Sequence, residues 1–126
     1  MKLLDKVVAL EEEASEFGLR WETTELIMAL IQSECEEIQE HLRIGISKAN
    51  QAELQDEIGD LLHAVFSLCV FCKLSPRVTL EQTLNKFERR LGAVKLIAEE
   101  HGLSTLEGQN FDKLMCIWDK AKELVG

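Results

Sequence analysis

The sequence predicts an all-α fold, a helical bundle of about five helices. Apolar residues recur at the three- and four-residue spacing of helices almost throughout, and the alternation typical of strands is absent. One Pro, seven Gly and no Tyr indicate a chain with few turns. A hydrophobic content of 46% excludes a disordered chain, and a length of 126 residues favours a single domain over 1–126.

Five segments carry the helical pattern, and turn or cap residues separate them. Gly18 ends the first, Thr23 or Thr24 caps the second, and a short polar loop over 46–51 precedes the third. Ser75-Pro76 stops the third helix, and a capping box opens the fourth. The predicted helices cover about 2–17, 24–43, 51–73, 79–101 and 110–124.

The second half of the third helix, residues 61–72, is apolar nearly all round. A helix of this kind lies at the centre of its bundle or is buried against another subunit. We therefore expect the bundle to be completed by oligomerisation.

The acidic balance restricts the partners of the protein. With 14 Lys and Arg against 23 Asp and Glu, the formal charge is −9, which disfavours nucleic acid and anionic membranes. No apolar run approaches a membrane span, and the start of the chain turns acidic too early for a signal peptide, so we expect a cytoplasmic protein. An anionic ligand would need cations to bind here.

Several side chains are expected to have ordinary structural roles. A zinc site would need a second C-x-x-C pair, so the four cysteines are predicted to be buried thiols. Most of the Asp and Glu side chains are expected to lie on solvated helix faces. The cysteines are Cys35, Cys69, Cys72 and Cys116, and the solvated acids include Glu11, Glu12, Glu36 and Glu40.

Two carboxylates of the second helix lie where apolar residues belong. At about 100° per residue, Glu34 falls near the centre of the buried stripe and Glu37 at its edge. An unpaired ionised carboxylate costs several kcal/mol to bury or takes up a proton. These residues therefore need a partner, unless they are ordinary surface acids that pair with Lys or Arg.

The third helix repeats this pattern with Glu57 and Asp60, three residues apart and hence neighbours on one helical surface. Gly59 between them leaves room for a close approach. Two such pairs on consecutive antiparallel helices can meet across their interface, where four carboxylates would repel one another without cations. Hard divalent ions such as Mg²⁺ or Mn²⁺ bind in this way, so a metal site is predicted between the second and third helices.

Five segments in order along the chain carry a family resemblance that covers about 17–123. They are the FG-x-x-W segment 17–21, the S-E-x-E-E segment 33–37, the E-x-x-D of 57–60 with its extension E-I-G-D-L-L 57–62, the K-F-E-R-R segment 86–90 and the W-x-x-x-K of 118–122. With these motifs the chain resembles the MazG-like nucleoside triphosphate pyrophosphohydrolases of the all-α NTP pyrophosphatase superfamily.

The resemblance implies an enzyme that hydrolyses (d)NTPs to the monophosphate and pyrophosphate with Mg²⁺, as a housecleaning activity on non-canonical or excess nucleotides. It implies a homodimer or homotetramer. It also implies Glu34, Glu37, Glu57 and Asp60 as metal ligands. Glu34 or Glu37 would then accept the proton of the attacking water.

By the same resemblance, Lys86 and Arg90 would bind phosphates, Trp118 would lie near the base or sugar, and Lys122 would aid at the phosphates. The alternatives are a solvated face with salt bridges for Lys86 and Arg90, and core packing for Trp118. Two further residues, Trp21 and His63, are expected to be packing residues rather than ligand contacts.

One departure from the family pattern concerns Ser33, which stands at the first Glu of EExxE. A hydroxyl is neither an anionic ligand nor a general base. The alternative hypothesis is therefore a non-catalytic helical interaction or nucleotide-sensing module that kept the fold. A third is a related enzyme acting on dUTP or phosphoribosyl-ATP, although K-F-E-R-R and W-x-x-x-K favour the MazG group.

Overall fold

The computed structural model describes residues 2–126, and every regular element in that range is a helix. The all-α prediction and the number of helices are confirmed. The helices are α1 Leu3–Phe17, α2 Thr24–Ile44, α3 Lys48–Phe71, α4 Pro76–Glu100 and α5 Phe111–Val125.

Local sequence signals set several helix ends as expected. Thr23 caps α2, with its Oγ1 accepting from the backbone N–H of Leu26 at 3.3 Å. Asn110 caps α5 in the same way, with Oδ1 accepting from the N–H of Lys113 at 2.8 Å. Gly18 ends α1 at φ 100°, a left-handed conformation that favours glycine.

The predicted loop over 46–51 is too long, because only residues 46 and 47 of that range are non-helical and α3 already begins at Lys48. The buried side chain of Asn50 explains the difference. Its Nδ2 donates to the carbonyl of His41 at 3.1 Å and to that of Gly45 at 2.8 Å. These carbonyls at the C-terminal end of α2 thus find a partner in α3, which keeps the connection between the two helices short.

The predicted start of α4 at the capping box of Thr79 is also wrong. The helix begins at Pro76, and the hydroxyl of Ser75 accepts from the N–H of Val78 at 3.1 Å. Proline suits the first helical position because its missing N–H would have no intrahelical partner there. Ser75-Pro76 therefore starts α4 as well as separating it from α3.

The chain divides into two compact units, one up to Thr79 and one comprising Leu80–Gly126. In the first, α1 and α2 both pack against α3. Its buried residues include Ile27, Ala64 and Cys69. The core of the second unit lies between α4 and α5 and consists of Ala93, Ile97, Ile117 and Ala121. The single domain over 1–126 stays a prediction.

The apolar half of α3 is only partly covered within the chain. Ala64, Ser67 and Cys69 are buried, whereas Leu62 and Val65 are exposed by 54% and 41%. The prediction of four buried thiols is wrong, since Cys69 alone among them is buried. Across residues 2–126, no single helix is long and apolar enough to cross a membrane, and only α3 and α4 taken together pass by length and composition.

Candidate metal centre

Three carboxylates from two helices converge in the first unit. Glu34 and Glu37 lie one turn apart on α2, and Glu57 lies on α3, which packs against it. One oxygen from each of the three lies within 4.8 Å of the others. We call these three residues the carboxylate cluster.

The carboxylate cluster contains two buried oxygens without a hydrogen-bond donor, Oε2 of Glu34 and Oε2 of Glu57. Buried polar atoms are nearly always paired, because an unmade hydrogen bond leaves the desolvation cost uncompensated. A divalent cation would supply the missing partner to both atoms. The donor set, oxygen from carboxylates, is also the kind that Mg²⁺ and Mn²⁺ prefer.

Hydrogen bonding, burial and mutual repulsion raise the proton affinity of two acids in the cluster. The hydrogen bond to Glu37, followed by burial and the charges nearby, raises the pKa of Glu57 from 4.5 to about 7. Burial, together with the charges of Glu37 and Asp60, raises the pKa of Glu34. Without a cation, the cluster thus tends to bind a proton on a carboxylate that must be ionised in order to bind a metal ion.

Asp60 lies beside the cluster without being part of it. Its charge acts on Glu34, and the two side chains line the same cavity. The structure therefore brings three of the four predicted ligands together and places the fourth next to them. Gly59, between Glu57 and Asp60, has open space around it, so no neighbouring helix uses the room it leaves.

His41 follows Glu37 by one turn and lies against α3. Its Nε2 is 3.9 Å from Oε1 of Glu57, and its Nδ1 is 3.2 Å from Oδ1 of Asn50. The same asparagine that joins the two helices therefore also orients this imidazole. Ser33, the departure from the family pattern, is exposed on α2.

A cavity of about 540 Å³ adjoins the cluster, and two predictions fail there. Glu11 is not a solvated acid: its side chain is only 17% exposed, and Oε1 accepts from the hydroxyl of Ser67 at 2.7 Å. His63 is not packed in a core: it is 67% exposed, with Nε2 2.7 Å from the same oxygen. Trp21 is half-buried and lines this cavity.

Glu11 could have been found from the sequence. It follows Val7 by four residues and precedes Ala14 by three, so it lies on the apolar stripe of α1. This is the same signal that identified Glu34 on α2. His63 gave no such signal, because its position depends on how α1 lies against α3.

The other predicted substrate residues belong to the second unit. The guanidinium of Arg90 lies 5.7 Å from the centre of the Trp118 ring, a cation–π contact, and its Nε donates to the carbonyl of Gly126 at 2.8 Å. Trp118 also contacts Phe87. Lys122 pairs with Asp119 at 3.4 Å, and Lys86 is exposed. Arg90 and Trp118 thus lie together on neighbouring helices.

These features define a class, an all-α protein with a carboxylate centre suited to a divalent cation. The model of the MazG nucleotide pyrophosphohydrolase domain matches residues 22–94, a stretch that contains α2, α3 and all four predicted ligands. The chain belongs to this family. The matched range includes Lys86 and Arg90 and ends before Trp118 and Lys122.

Individual relatives support the assignment. The chain is 31% identical over 113 residues to a nucleoside triphosphate pyrophosphohydrolase/pyrophosphatase MazG of Thermotoga maritima, covering 90% of this chain and 41% of that protein. It is 26% identical over 113 residues to a nucleoside triphosphate pyrophosphohydrolase of Escherichia coli K12, covering 90% and 42%. The chain therefore spans about two fifths of the length of these curated relatives.

Proposed function

We propose that this chain is a Mg²⁺-dependent nucleoside triphosphate pyrophosphohydrolase that converts (d)NTP and water to (d)NMP and pyrophosphate. Removal of non-canonical or excess nucleotides would be its role. The observation that carries the proposal is the carboxylate cluster with its two unpartnered buried oxygens. Membership of the MazG family supports it, as do the relatives from Thermotoga maritima and Escherichia coli, which are nucleoside triphosphate pyrophosphohydrolases by name.

In this proposal Glu34, Glu37, Glu57 and Asp60 would hold Mg²⁺, or Mn²⁺ in its place. When bound, the cation would offset the charge of the triphosphate and polarise water. Glu34 or Glu37 accepts the proton of the attacking water.

Cationic side chains of the second unit complete the proposal. Lys86, Arg90 and Lys122 bind the phosphates, and Trp118 contacts the sugar or base. The contact between Arg90 and Trp118 supports a shared role, since the ring fixes the direction of the guanidinium. Lys122 would exchange its pairing with Asp119 for a phosphate oxygen.

A panel of (d)NTPs incubated with Mg²⁺ tests the reaction. Pyrophosphate and the monophosphate should form in equal amounts, without orthophosphate, as followed by ion-exchange chromatography. The Glu34→Gln/Asp60→Asn double variant removes two of the four proposed ligand charges and is the control. Wild-type release of pyrophosphate no faster than that of this variant would rule out the enzyme.

Ser33 favours a second candidate, a non-catalytic interaction or nucleotide-sensing module. Its exposed hydroxyl stands where the family pattern has a carboxylate. If the missing charge limits catalysis, Ser33→Glu should raise kcat. A wild type that binds nucleotides without hydrolysing them, and a Ser33→Glu variant that does hydrolyse them, would favour the sensing module.

We also propose that the chain forms a homodimer or homotetramer. Ile58, Leu62 and Val65 recur along α3 at helical spacing, and all three are exposed by more than 40%. A second copy packed on this stripe would remove it from water. Sedimentation equilibrium should show an oligomer, whereas a strict monomer at all accessible concentrations would refute the proposal.

A further inference from the structure

A second group of polar side chains faces the cavity of the first unit. It consists of Glu11 on α1 with His63 and Ser67 on α3, and we call it the Glu11 network. Both hydrogen bonds, each 2.7 Å long, end on Oε1 of Glu11, so neither uses its other oxygen, Oε2. The proposed reaction has no step for any of these three residues.

The dimensions of the cavity suit a nucleoside. Its volume of about 540 Å³ lies in the range of small-molecule sites, roughly 300–1,000 Å³. Glu34 and Asp60 form part of the wall, and Ser67 belongs to another part of it. Along α3, His63 lies about one turn after Asp60, and Ser67 lies one turn further, roughly 10 Å from Asp60. The Glu11 network thus begins about one turn from the metal-binding side and extends away from it.

The remaining wall is largely apolar and includes one aromatic ring. Leu30 and Ala64 contribute aliphatic surface, and Trp21 contributes an indole. Bases stack on aromatic side chains with little regard to sequence, because every base has a π-face. Hydrogen-bonding groups are therefore needed to distinguish one base from another, and the Glu11 network provides them.

We propose that this cavity binds the base of the nucleotide and that the Glu11 network favours bases with an exocyclic amine over those with a carbonyl at the same position. The inference rests on the proposed function for its substrate class. The base is then recognised inside the first unit, and Trp118 does not set base preference.

The preference follows from the donors and acceptors of the Glu11 network. An ionised carboxylate only accepts, so the hydroxyl of Ser67 and Nε2 of His63 both donate to Oε1 of Glu11. Oε2 of Glu11 is left as an acceptor. An exocyclic amine can donate an N–H to this oxygen, whereas a carbonyl oxygen would oppose its lone pairs. A site built to pair one group discriminates strongly against a ligand without it.

Two matched pairs of substrates isolate this edge of the base: CTP with UTP, and ATP with ITP. In each pair an amine is exchanged for a carbonyl on the same ring. We expect the wild type to have the higher kcat/KM for CTP and ATP. Glu11→Gln replaces one carboxylate oxygen by an NH₂ donor, so it should shift both ratios toward UTP and ITP by roughly tenfold.

Glu13→Gln is the matched control, because it removes the same charge from an exposed position of α1. It should leave both ratios unchanged. Equal ratios in Glu11→Gln and Glu13→Gln would overturn the inference, and so would a reversal of preference by Trp118→Phe. If Glu11→Gln fails to fold, His63→Gln, at an exposed position, should weaken the preference in both pairs, and unchanged ratios would count against the inference.

Binding without hydrolysis separates this inference from the proposed function. Isothermal titration with CMP and UMP should show the same preference and the same change in Glu11→Gln. If no triphosphate is hydrolysed but CMP still binds more tightly than UMP, the base site stands and the proposed reaction fails. If hydrolysis proceeds and CMP and UMP bind equally, the reaction stands and the base site fails.

Discussion

Two groups of half-buried acids differ in what surrounds them. In the Glu11 network, a carboxylate on the apolar stripe of α1 receives hydrogen bonds from Ser67 and His63. In the carboxylate cluster, Glu34 and Glu57 each have a buried oxygen without a donor. Glu11 and Glu34 can both be recognised in the sequence as charged residues on the apolar stripe of a helix. Their surroundings distinguish an acid that the chain itself satisfies from one that needs a cation.

The acids of the carboxylate cluster also have a raised proton affinity. Burial and then repulsion from Glu37 and Asp60 raise the pKa of Glu34, and the hydrogen bond to Glu37, followed by burial and repulsion, raises the pKa of Glu57. A cation bound between them would reverse this repulsion, since each carboxylate would then gain an opposite charge. The carboxylate cluster without a metal ion therefore lowers the stability of the fold. The Glu11 network stabilises the fold through its own hydrogen bonds and needs no ligand to do so.

The largest expected effect is on metal affinity. Glu57→Gln removes one ligand charge and should weaken Mn²⁺ binding by roughly 100-fold or more, because even residues that only orient metal ligands contribute about 10–100-fold. Isothermal titration with Mn²⁺ measures this directly. Asp56→Asn, an exposed acid one position earlier on α3, is the control and should bind as the wild type does. Equal affinities in the two variants would contradict the metal centre.

A smaller effect is expected in the Glu11 network. Ser67→Ala removes the hydroxyl that donates to Glu11 and leaves the carboxylate with one donor fewer. The free energy of unfolding should fall by about 1.5–3 kcal/mol, the usual contribution of a hydrogen bond to a charged group. Urea unfolding measures it, with Ser104→Ala, at an exposed position, expected to change little. A Ser67→Ala variant as stable as the wild type would show that the bond contributes nothing.

The smallest effect is the pH dependence of metal-free stability. The pKa of Glu57 rises from 4.5 to about 7 on folding, so the folded protein binds the proton more tightly. The stability from this protonation is fully present below pH 4.5 and is lost as the pH rises through about 7. Water screens the effect, because the side chain is still 21% exposed.

Thermal unfolding of the metal-free wild type and of Glu57→Gln isolates this group. The wild type should lose stability relative to Glu57→Gln between pH 5 and pH 8, and Mg²⁺ added at pH 8 should raise the midpoint of the wild type alone. A difference between the two proteins that stays constant with pH would mean that Glu57 does not titrate in this range.

Signals within one helix were sufficient for much of the fold. Thr23 and Asn110 cap their helices through their own side chains, and Gly18 ends α1, so these boundaries follow from local chemistry. The start of α3 could not be found in this way. Asn50 bonds to carbonyls of α2, and that contact exists only once the two helices have met.

Among the residues of the candidate site, too, some could be predicted from a single helix and others depend on how the helices pack. Glu34 was predicted as a site residue because charge on an apolar stripe is anomalous in any helix, and Glu57 because it shares one surface of its helix with Asp60 three residues later. His63 could not be placed, since it lies next to Glu11 only through the packing of α1 on α3. The exposure of Leu62 and Val65 could not be predicted either, because an apolar run does not show which faces of the helix the rest of the chain covers.

The sequence by itself determined the helical class, most helix ends and the positions where acid is out of place. All of these depend on the helical period and on residues a few positions apart. Only the tertiary structure decided which of those acids are satisfied and which are not. A hydrogen bond such as that between Ser67 and Glu11 joins residues 56 positions apart, and its presence separates a structural acid from a candidate ligand.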